Sequence, residues 1–311
     1  MSKKKEAWYI NSYRQGDLKF DIVLIIIMAI LALIFFYPMY LVFISSFSSP
    51  NEVYTGNVLL LPKGSNYKGF QQVLETKELW SGYVNSAIYT VVGTIINLFC
   101  TMTGAFVLSR PNFALRKPIT LMIVVTMFFG GGMIPTYLLV KDLKMLNTIW
   151  ALVLPGAVST WNLMVTRTFL QSSIPEELHE SAAIDGCNNL QYFLRIILPL
   201  STTIIAVIGL FYAVGHWNAY FNAMLYITKK EMYPLQLVLR NLLLNAEYAL
   251  SAAKAGEFVD TYNMEKVMEL YHLTESMKYI IVLATILPIV IVFPFVEKYF
   301  VKGVMVGSLK G

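Results

Sequence analysis

Long apolar runs dominate this sequence and restrict what the chain can fold into. A helix needs about 20 apolar residues to cross the hydrocarbon core of a bilayer. Six segments meet that requirement, at about 22–47, 83–108, 119–140, 149–170, 202–227 and 277–300. Only 14% of the residues are charged, whereas a soluble domain carries about 25%. The sequence therefore predicts an all-α polytopic membrane protein with six transmembrane helices.

Short basic segments predict how these spans are oriented. Lysines and arginines cluster before the first span, in the loop at 110–117 and in the tail at 298–311. Short basic segments remain on the cytoplasmic side of a membrane. With six spans, all three clusters lie on one side, so both termini are predicted to be cytoplasmic. The first apolar run is too long for a cleavable signal peptide and is predicted to remain as an anchor.

The same topology predicts the organisation of the chain. Residues 1–19 are a cytoplasmic tail, 20–300 a single six-span domain and 301–311 a second cytoplasmic tail. A long external loop lies at 228–276, and its stretch at 234–253 has apolar residues at helical spacing, which predicts a helix on the membrane or on a partner. In the third span, three consecutive glycines followed by Pro135 predict a broken helix.

The middle of each span lacks acidic and basic residues, and this disfavours several classes of membrane protein. Proton- and ion-coupled transporters place carboxylates or histidines at the midplane, although sodium sites built from carbonyl oxygens would escape this test. Arg167 lies near the cytoplasmic end of the fourth span and can reach the interface. His216 is the one ionisable side chain well inside a span. Its simplest interpretation is a buried or interfacial imidazole with a hydrogen-bond partner.

Motifs for catalysis and for nucleotide binding are missing from the sequence. There is no HExxH pair, no paired aspartates and no GxxxxGK[ST] loop, so ATP would have to bind another chain. Cys100 and Cys187 are too few for a disulfide framework or a zinc site. The pI is near 9.0, but the basic residues form no stripe for nucleic acid. We therefore expect no cofactor or metal on this chain.

The cytoplasmic loop at 171–200, between the fourth and fifth spans, is unusual because it is itself amphipathic. Pro175 and the two acidic residues after it predict a helix start, since proline suits the first turn and acidic residues suit the helix dipole. Gly186 predicts a tight turn. A second short helix is expected at about 190–197, ending at Pro199. Two short helices joined at a glycine would form a compact knob.

This loop resembles the signature of the permease subunits of binding-protein-dependent ABC importers. That signature reads Glu-Ala-Ala, three residues, Gly, nine residues, Ile, one residue, Leu-Pro. The matching residues here are Glu180, Ser181, Ala182, Gly186, Ile196, Leu198 and Pro199. Ser181 stands where the family has alanine, and Asp185 matches the family's common acidic residue before the glycine.

Other segments resemble the carbohydrate branch of this family, which contains the maltose permeases. Trp217 and Asn218 match the Trp-Asn signature of that branch, and the chain end at 299–311 is similar to its C-terminal tail. Residues 130–170 resemble the permeases for oligosaccharides and polysaccharide fragments in particular. The resemblance covers nearly the whole chain.

The resemblance implies a type I ABC importer permease fold in the bacterial inner membrane. The implied partners are a second homologous permease subunit, two ATPase subunits, a lipid-anchored or periplasmic substrate-binding protein, a sugar and membrane lipid, with no nucleic acid. ATP and Mg would be held by the ATPase. The implied ATPase-coupling residues are Glu180, Ser181, Ala182, Ala183, Asp185 and Gly186, where Glu180 makes a polar contact and Gly186 the turn.

The sugar path is expected at the interface with the second permease, near the bilayer midplane. Aromatic faces and hydrogen-bonding groups hold sugars. By depth and chemistry, the candidates are Trp161, Asn162, Tyr212, Trp217, Asn218 and Tyr220. Each of these aromatic residues could instead face lipid or pack inside the protein.

Two alternatives remain open at this point. The first is a permease of the same family for another solute, such as amino acids, phosphate or a metal. The Trp217–Asn218 pair and the C-terminal tail favour sugars over these. The second is a membrane scaffold or channel that has no ATPase, which a neighbouring gene for a second permease would argue against.

Overall fold

The computed structural model of the protein describes residues 3–254 and 261–308. Within these ranges the chain is helical and contains no strand. The helices are α1 (Lys3–Phe47), α2 (Pro50–Tyr54), α3 (Tyr67–Glu75), α4 (Lys77–Ser109), α5 (Arg116–Val125), α6 (Met133–Asp142), α7 (Trp150–Val153), α8 (Thr160–Ser173), α9 (Glu177–Ile184), α10 (Asn189–Tyr192), α11 (Leu198–Leu200), α12 (Thr202–Trp217), α13 (Phe221–Tyr226), α14 (Leu235–Lys254) and α15 (Thr261–Ser308).

Three helices among the described residues are long and apolar enough to cross a membrane. They are Leu18–Phe47, Lys77–Ser109 and Met277–Phe295, and they coincide with the first, second and sixth predicted spans. A fourth is added if Asn189–Leu200 and Thr202–Trp217, which meet at a bend of 80°, form one span. The other predicted spans consist of shorter helices, so the count of six and the cytoplasmic termini remain predictions.

The third predicted span is broken, as its glycines predicted. Helix α5 ends at Val125 and α6 begins at Met133. Gly132 lies between them with a φ of +83°, a backbone conformation that residues with a Cβ atom rarely adopt. Pro135 lies in the first turn of α6, where its missing N–H costs no helical hydrogen bond.

The fourth predicted span, expected as one apolar helix at 149–170, is also interrupted. Helix α7 ends at Val153, and α8 begins at Thr160. Pro155 and Gly156 fall in the interruption; proline lacks the N–H that a continuing helix needs, and glycine favours irregular backbone. Ser159 then starts α8 by accepting a hydrogen bond on Oγ from the backbone N–H of Asn162 at 3.4 Å.

The loop between α8 and α12 forms two short helical segments at a sharp turn, as predicted. The predicted stop of its second segment at Pro199 was wrong, because the helical backbone continues to Leu200. A π-helical turn at Phe193–Ile197 precedes the proline. Proline removes one backbone donor and crowds the carbonyl of Arg195, four residues earlier, and a widened turn accommodates both effects.

The chain divides into two compact units, and the first comprises Met1–Leu74 and Ala246–Ala284. In this unit, the segment after α2 returns along the end of α1. The Tyr37 hydroxyl donates to the Leu59 carbonyl at 3.2 Å, and the Asn66 amide donates to the Ser46 carbonyl at 2.9 Å. These side-chain bonds fix an extended stretch that has no secondary structure of its own.

The second unit comprises Glu75–Asn245 and Thr285–Gly311. Its largest buried cluster brings together the last turns of α4, the end of α8, α9 and the α10 region. The buried members are Met102, Ala105, Phe106, Leu108, Leu163, Leu170, Ile174, Ala182, Tyr192, Phe193 and Ile197. Burying these apolar side chains is what fixes the knob against the membrane helices.

The opposite end of α4 holds the segment that leads into α14. The Tyr89 hydroxyl donates to the Met232 carbonyl at 2.8 Å, and the Leu235 N–H donates to the Ser86 hydroxyl at 2.9 Å. Helix α14 occupies Leu235–Lys254, which confirms the helix predicted at 234–253.

Candidate functional site

The turn between α9 and α10 is the most exposed part of the knob. Ile184, the last residue of α9, has 87% of its surface exposed, which is unusual for a large aliphatic side chain. Gly186 has a φ of +80°, and a Cβ atom added there would meet nothing within 4 Å. Gly186 is therefore required by its backbone conformation and not by lack of space.

A capping box fixes the start of the second helical segment. The Asn188 Oδ1 atom accepts from the Gln191 N–H at 2.9 Å, and the Gln191 Oε1 atom accepts from the Asn188 N–H at 3.0 Å. This reciprocal pair satisfies two N–H groups that a helix N-terminus otherwise leaves without partners. It therefore sets the direction in which the chain leaves the turn.

The six residues assigned to coupling fall on two sides of α9 and its turn. Glu180, Ser181, Ala183, Asp185 and Gly186 are exposed, whereas Ala182 is 5% exposed and belongs to the buried cluster. Ala182 faces the same core as Tyr192 and Phe193. A small side chain at this position lets α9 approach that core, so Ala182 acts through packing while its neighbours form the surface.

A group of residues that the sequence did not single out connects the knob to α4. Arg110, the residue that follows α4, lies 3.4 Å from Glu176 between Nη1 and Oε2. Its guanidinium carbon lies 5.3 Å from the ring centroids of both Phe106 and Tyr192. The His179 ring meets Tyr192 edge-on, with centroids 4.9 Å apart. A charge pair and ring contacts thus join two helices far apart in sequence.

Burial also affects the ionisation of this group. It raises the pKa of the Tyr192 phenol above its ordinary value, with the nearby positive charge of Arg110 acting in the opposite direction. Tyr192 therefore stays neutral and offers its ring face to the guanidinium. Arg110 was counted in the sequence only as a basic loop residue. The signal that could have found it is its position directly after a long helix, facing an acidic loop.

The interruption of the fourth span is held by Asn97, a fully buried residue of α4. Its Nδ2 atom donates to the carbonyls of Gly156 at 2.7 Å and Ala157 at 2.9 Å. Its Oδ1 atom lies 2.6 Å from Nε2 of His216. The two carbonyls require the amide nitrogen on their side, so the atom beside His216 is the oxygen, which can only accept, and Nε2 of His216 therefore carries the proton. The predicted hydrogen-bond partner of His216 is thus confirmed.

A second pair of polar residues supports the same interruption from one turn further along α4. The hydroxyls of Thr101 and Tyr212 lie 2.7 Å apart, and the Tyr212 oxygen accepts from the Ser159 N–H at 3.1 Å. A helix that is broken within a membrane leaves backbone groups that must find partners in the protein. Asn97 and Tyr212 supply those partners at Gly156, Ala157 and Ser159.

Close packing explains why glycine precedes these residues on α4. A Cβ atom at Gly93 would lie 2.4 Å from Nε2 of His216. Gly93, Asn97, Thr101 and Ala105 are spaced four residues apart and therefore share one face of α4. This stripe of small and polar residues is a sequence signal that could have indicated close packing on this face of α4.

The structure separates the predicted sugar-path residues into buried and exposed groups. Asn162, Tyr212 and Trp217 are buried, and the Trp217 Nε1 atom donates to the Thr285 carbonyl at 2.9 Å. Trp161 is 64% exposed and Tyr220 is 42% exposed, and Asn218, the C-cap of α12, is exposed as well. Tyr212 and Trp217 form hydrogen bonds to backbone groups, and only the exposed members have surface to offer a ligand.

Comparison with known proteins identifies the family. Residues 79–306 match the family described as "Binding-protein-dependent transport system inner membrane component". The chain belongs to this family. It is accordingly an inner membrane component of a binding-protein-dependent transport system, and its knob and interrupted fourth span both lie within the matched region.

Individual family members are similar over nearly their whole length. The polygalacturonan/rhamnogalacturonan transport system permease protein YtcP of Bacillus subtilis is 35% identical, covering 94% of this chain and 98% of that protein. Protein LplC of the same organism is 38% identical, with coverages of 94% and 95%. A crystal structure of a bacterial ABC transporter involved in the import of the acidic polysaccharide alginate superposes with a TM-score of 0.77 at 30% identity, covering 92% and 98% of the two chains.

Proposed function

We propose that this chain is a permease subunit of an ATP-driven importer of oligosaccharides and forms half of the translocation path. The observation that supports this proposal is the knob, which has an exposed apolar tip and an opposite side that is buried in the core. YtcP is named for the transport of polygalacturonan and rhamnogalacturonan, and the similar structure is of a transporter involved in the import of alginate, which favours saccharides over other solutes. The chain has six spans and cytoplasmic termini in this proposal.

The knob would dock in a groove on an ATPase subunit. Ile184 supplies an apolar anchor of the kind that dominates protein interfaces when a pocket buries it. Glu180 lies exposed one turn before Ile184 and supplies a polar contact at the rim. ATP and Mg belong to that ATPase, of which the complex holds two copies, one for each permease. Among the described residues no group of three potential metal ligands occurs.

The sugar would pass along the exposed residues beside the interrupted fourth span. Trp161 follows the interruption and presents an aromatic face, while Asn218 and Tyr220 add hydrogen-bonding groups near the outer end of α12. Aromatic faces with a few polar groups suit a sugar ring. A second homologous permease closes the path from the other side, and an external binding protein delivers the sugar.

Uptake measurements with Trp161→Ala test the proposed path. A ring contact worth about 1 kcal/mol corresponds to about a fivefold change, so we expect uptake of oligogalacturonides to fall several-fold. Assembly and basal ATP hydrolysis should stay near wild type, because Trp161 is exposed. The measurement uses proteoliposomes that contain the whole complex and its binding protein. Trp150, an exposed tryptophan of α7, provides the control variant Trp150→Ala.

An unchanged uptake rate in Trp161→Ala would remove this residue from the path. If both tryptophan variants lost uptake equally, the effect would come from the membrane helices and not from a sugar contact. Failure of the wild-type complex to take up any oligosaccharide, with ATP hydrolysis intact, would contradict the proposed substrate class. Asn162→Ala, which removes a buried amide side chain from the first turn of α8, should also slow uptake.

Thiol labelling tests the proposed orientation. Single cysteines at Ser251 and Asn112, in a background with Cys100 and Cys187 replaced by serine, are both at exposed positions. A membrane-impermeant maleimide applied to intact cells should label Ser251→Cys and spare Asn112→Cys. After the cells are opened, both should react, which controls for accessibility. Labelling of the Asn112 site alone in intact cells would invert the topology.

A further inference from the structure

We propose that Arg110 is the positioning residue through which displacement of the knob reaches α4 and, through α4, the interruption of the fourth span. This assignment rests on the proposed function, in which the knob is the surface that the ATPase moves. Arg110 itself would touch neither ATPase nor sugar. Its role would be to make the knob and α4 move together.

Both helical segments of the knob contact Arg110. Glu176, which immediately precedes α9, pairs with Arg110 at 3.4 Å, and Tyr192 of α10 lies under the guanidinium. His179 of α9 contacts both Glu176 and Tyr192. It lies 3.5 Å from Glu176 and its ring meets the Tyr192 ring edge-on. Both helical segments of the knob therefore engage the same arginine. A movement of the knob as a body must act on that side chain.

Helix α4 is expected to transmit this movement because it is rigid. This helix runs without interruption over 33 residues, from Lys77 to Ser109, and contains no proline. Arg110 follows its last residue directly. Asn97 lies 13 positions earlier, which is about 20 Å along a helix axis. Kinks arise at prolines, Gly/Ser pairs, π-bulges or inserted groups. Since the stretch 97–110 contains no proline and no Gly/Ser pair, a push at Arg110 should displace Asn97.

Helix α4 is also hydrogen-bonded to the interruption of the fourth span. Asn97 holds the carbonyls of Gly156 and Ala157, and Thr101 holds the Tyr212 hydroxyl that binds the Ser159 N–H. The same helix thus contacts the knob at its C-terminal end and the interruption near its middle. Trp161, two residues beyond Ser159, would shift with this backbone.

The energetics of the Arg110 contact separate coupling from folding. The Arg110 side chain is 13% exposed and that of Glu176 is 42% exposed, and ion pairs near a surface stabilise a fold only slightly. The apolar cluster around Ala182 and Phe193 holds the knob in place without the ion pair. Loss of the pair should therefore leave the knob folded and docked but loosely connected to α4.

The decisive measurement is the number of ATP molecules hydrolysed per sugar taken up, in proteoliposomes that contain the complete complex, binding protein and oligogalacturonides. We expect Arg110→Ala to retain its ATPase and its folding midpoint but to raise this ratio by about fivefold or more, within the usual range of coupling factors. Arg110→Lys, which keeps the charge but lacks the planar group, should be intermediate. Lys117→Ala removes an exposed charge from the first turn of α5 and should match wild type.

Charge exchange separates a specific pair from a general effect. Glu176→Arg alone should raise the ratio, and the double variant Arg110→Glu with Glu176→Arg should bring it back toward wild type. An unchanged ratio in Arg110→Ala, with ATP-driven uptake intact in wild type, would overturn the assignment and leave the proposed function standing. Dissociation of the ATPase from Arg110→Ala would overturn it as well, because Arg110 would then serve docking. A wild-type complex without ATP-driven uptake would instead overturn the proposed function.

Discussion

Gly186→Val is expected to abolish ATP-driven uptake while the permease still reaches the membrane. Gly186 has a φ of +80°, and a left-handed conformation costs a residue with a Cβ atom about 1–2 kcal/mol, more for a β-branched one. No neighbour lies within 4 Å of the added Cβ atom, so the strain is entirely in the backbone. The turn would relax by opening, which reorients α9 and removes Ile184 from the position that a partner groove requires.

Gly186→Asn is the matched control, because asparagine tolerates the left-handed conformation better than other residues with a Cβ atom. It should retain most of the uptake. Glu180→Lys reverses the charge of the exposed rim contact and should also uncouple the complex, while Ile184→Asp should weaken retention of the ATPase. The measurements are copurification of the ATPase and uptake in proteoliposomes. A Glu180→Lys complex that keeps its ATPase and transports at the wild-type rate would show that the coupling assignment is wrong.

The knob was predictable from sequence because its signals are local. A proline with acidic residues and a glycine each specify their own stretch of backbone, and the structure places α9 and the turn at Gly186 accordingly. The break at Gly130–Gly132 was predictable for the same reason. Apolar runs that are longer than 20 residues likewise located α1, α4 and α15, since few other structures accommodate them.

The contacts that join distant segments were not predictable in this way. Asn97 lies in an apolar run, and nothing near it in sequence reveals that its amide meets two carbonyls some 60 residues away. The interruption at Pro155–Gly156 was not predicted, because the hydropathy of the segment is that of one continuous span. Arg110 was read as a topological signal, although its partner Glu176 lies 66 residues further along the chain.

Residue type and depth also did not distinguish aromatic residues that are exposed to a ligand from those that are buried and support the fold. Tyr212 and Trp161 have similar chemistry and were assigned together, yet Tyr212 is 8% exposed and Trp161 is 64% exposed. The difference comes from the face of the helix on which each lies relative to α4. That relation depends on helix packing, which a single sequence does not specify.

Asn97→Leu is expected to be the most destabilising single change in the second unit. Leucine has a similar size but cannot form hydrogen bonds, so it leaves the Gly156 and Ala157 carbonyls and the His216 N–H without their partner. A buried polar group that loses its partner costs about 1–3 kcal/mol, and three such groups are affected at once. The loss should therefore reach several kcal/mol, enough to lower the unfolding midpoint strongly and to stop uptake.

Thermal unfolding of the purified permease pair in detergent, followed by tryptophan fluorescence, measures this effect. Thr101→Val removes one buried hydroxyl from the same face of α4 and should lower the midpoint less than Asn97→Leu does. Thr103→Val is the control, since its hydroxyl bonds only to carbonyls of its own helix. An Asn97→Leu midpoint equal to that of Thr103→Val would show that Asn97 does not hold the interruption.

A double variant distinguishes the two roles of the amide. Removing both members of a buried hydrogen-bonded pair costs less than removing one, because no unpaired group remains. Asn97→Leu with His216→Leu should therefore be less destabilised than the sum of the two single variants, which is the signature of a direct interaction. The part of the loss that persists in the double variant then belongs to the two carbonyls of the interrupted span. If the two single effects simply added, the contact between Asn97 and His216 would contribute nothing, and the backbone carbonyls alone would explain why a buried amide stands in the middle of α4.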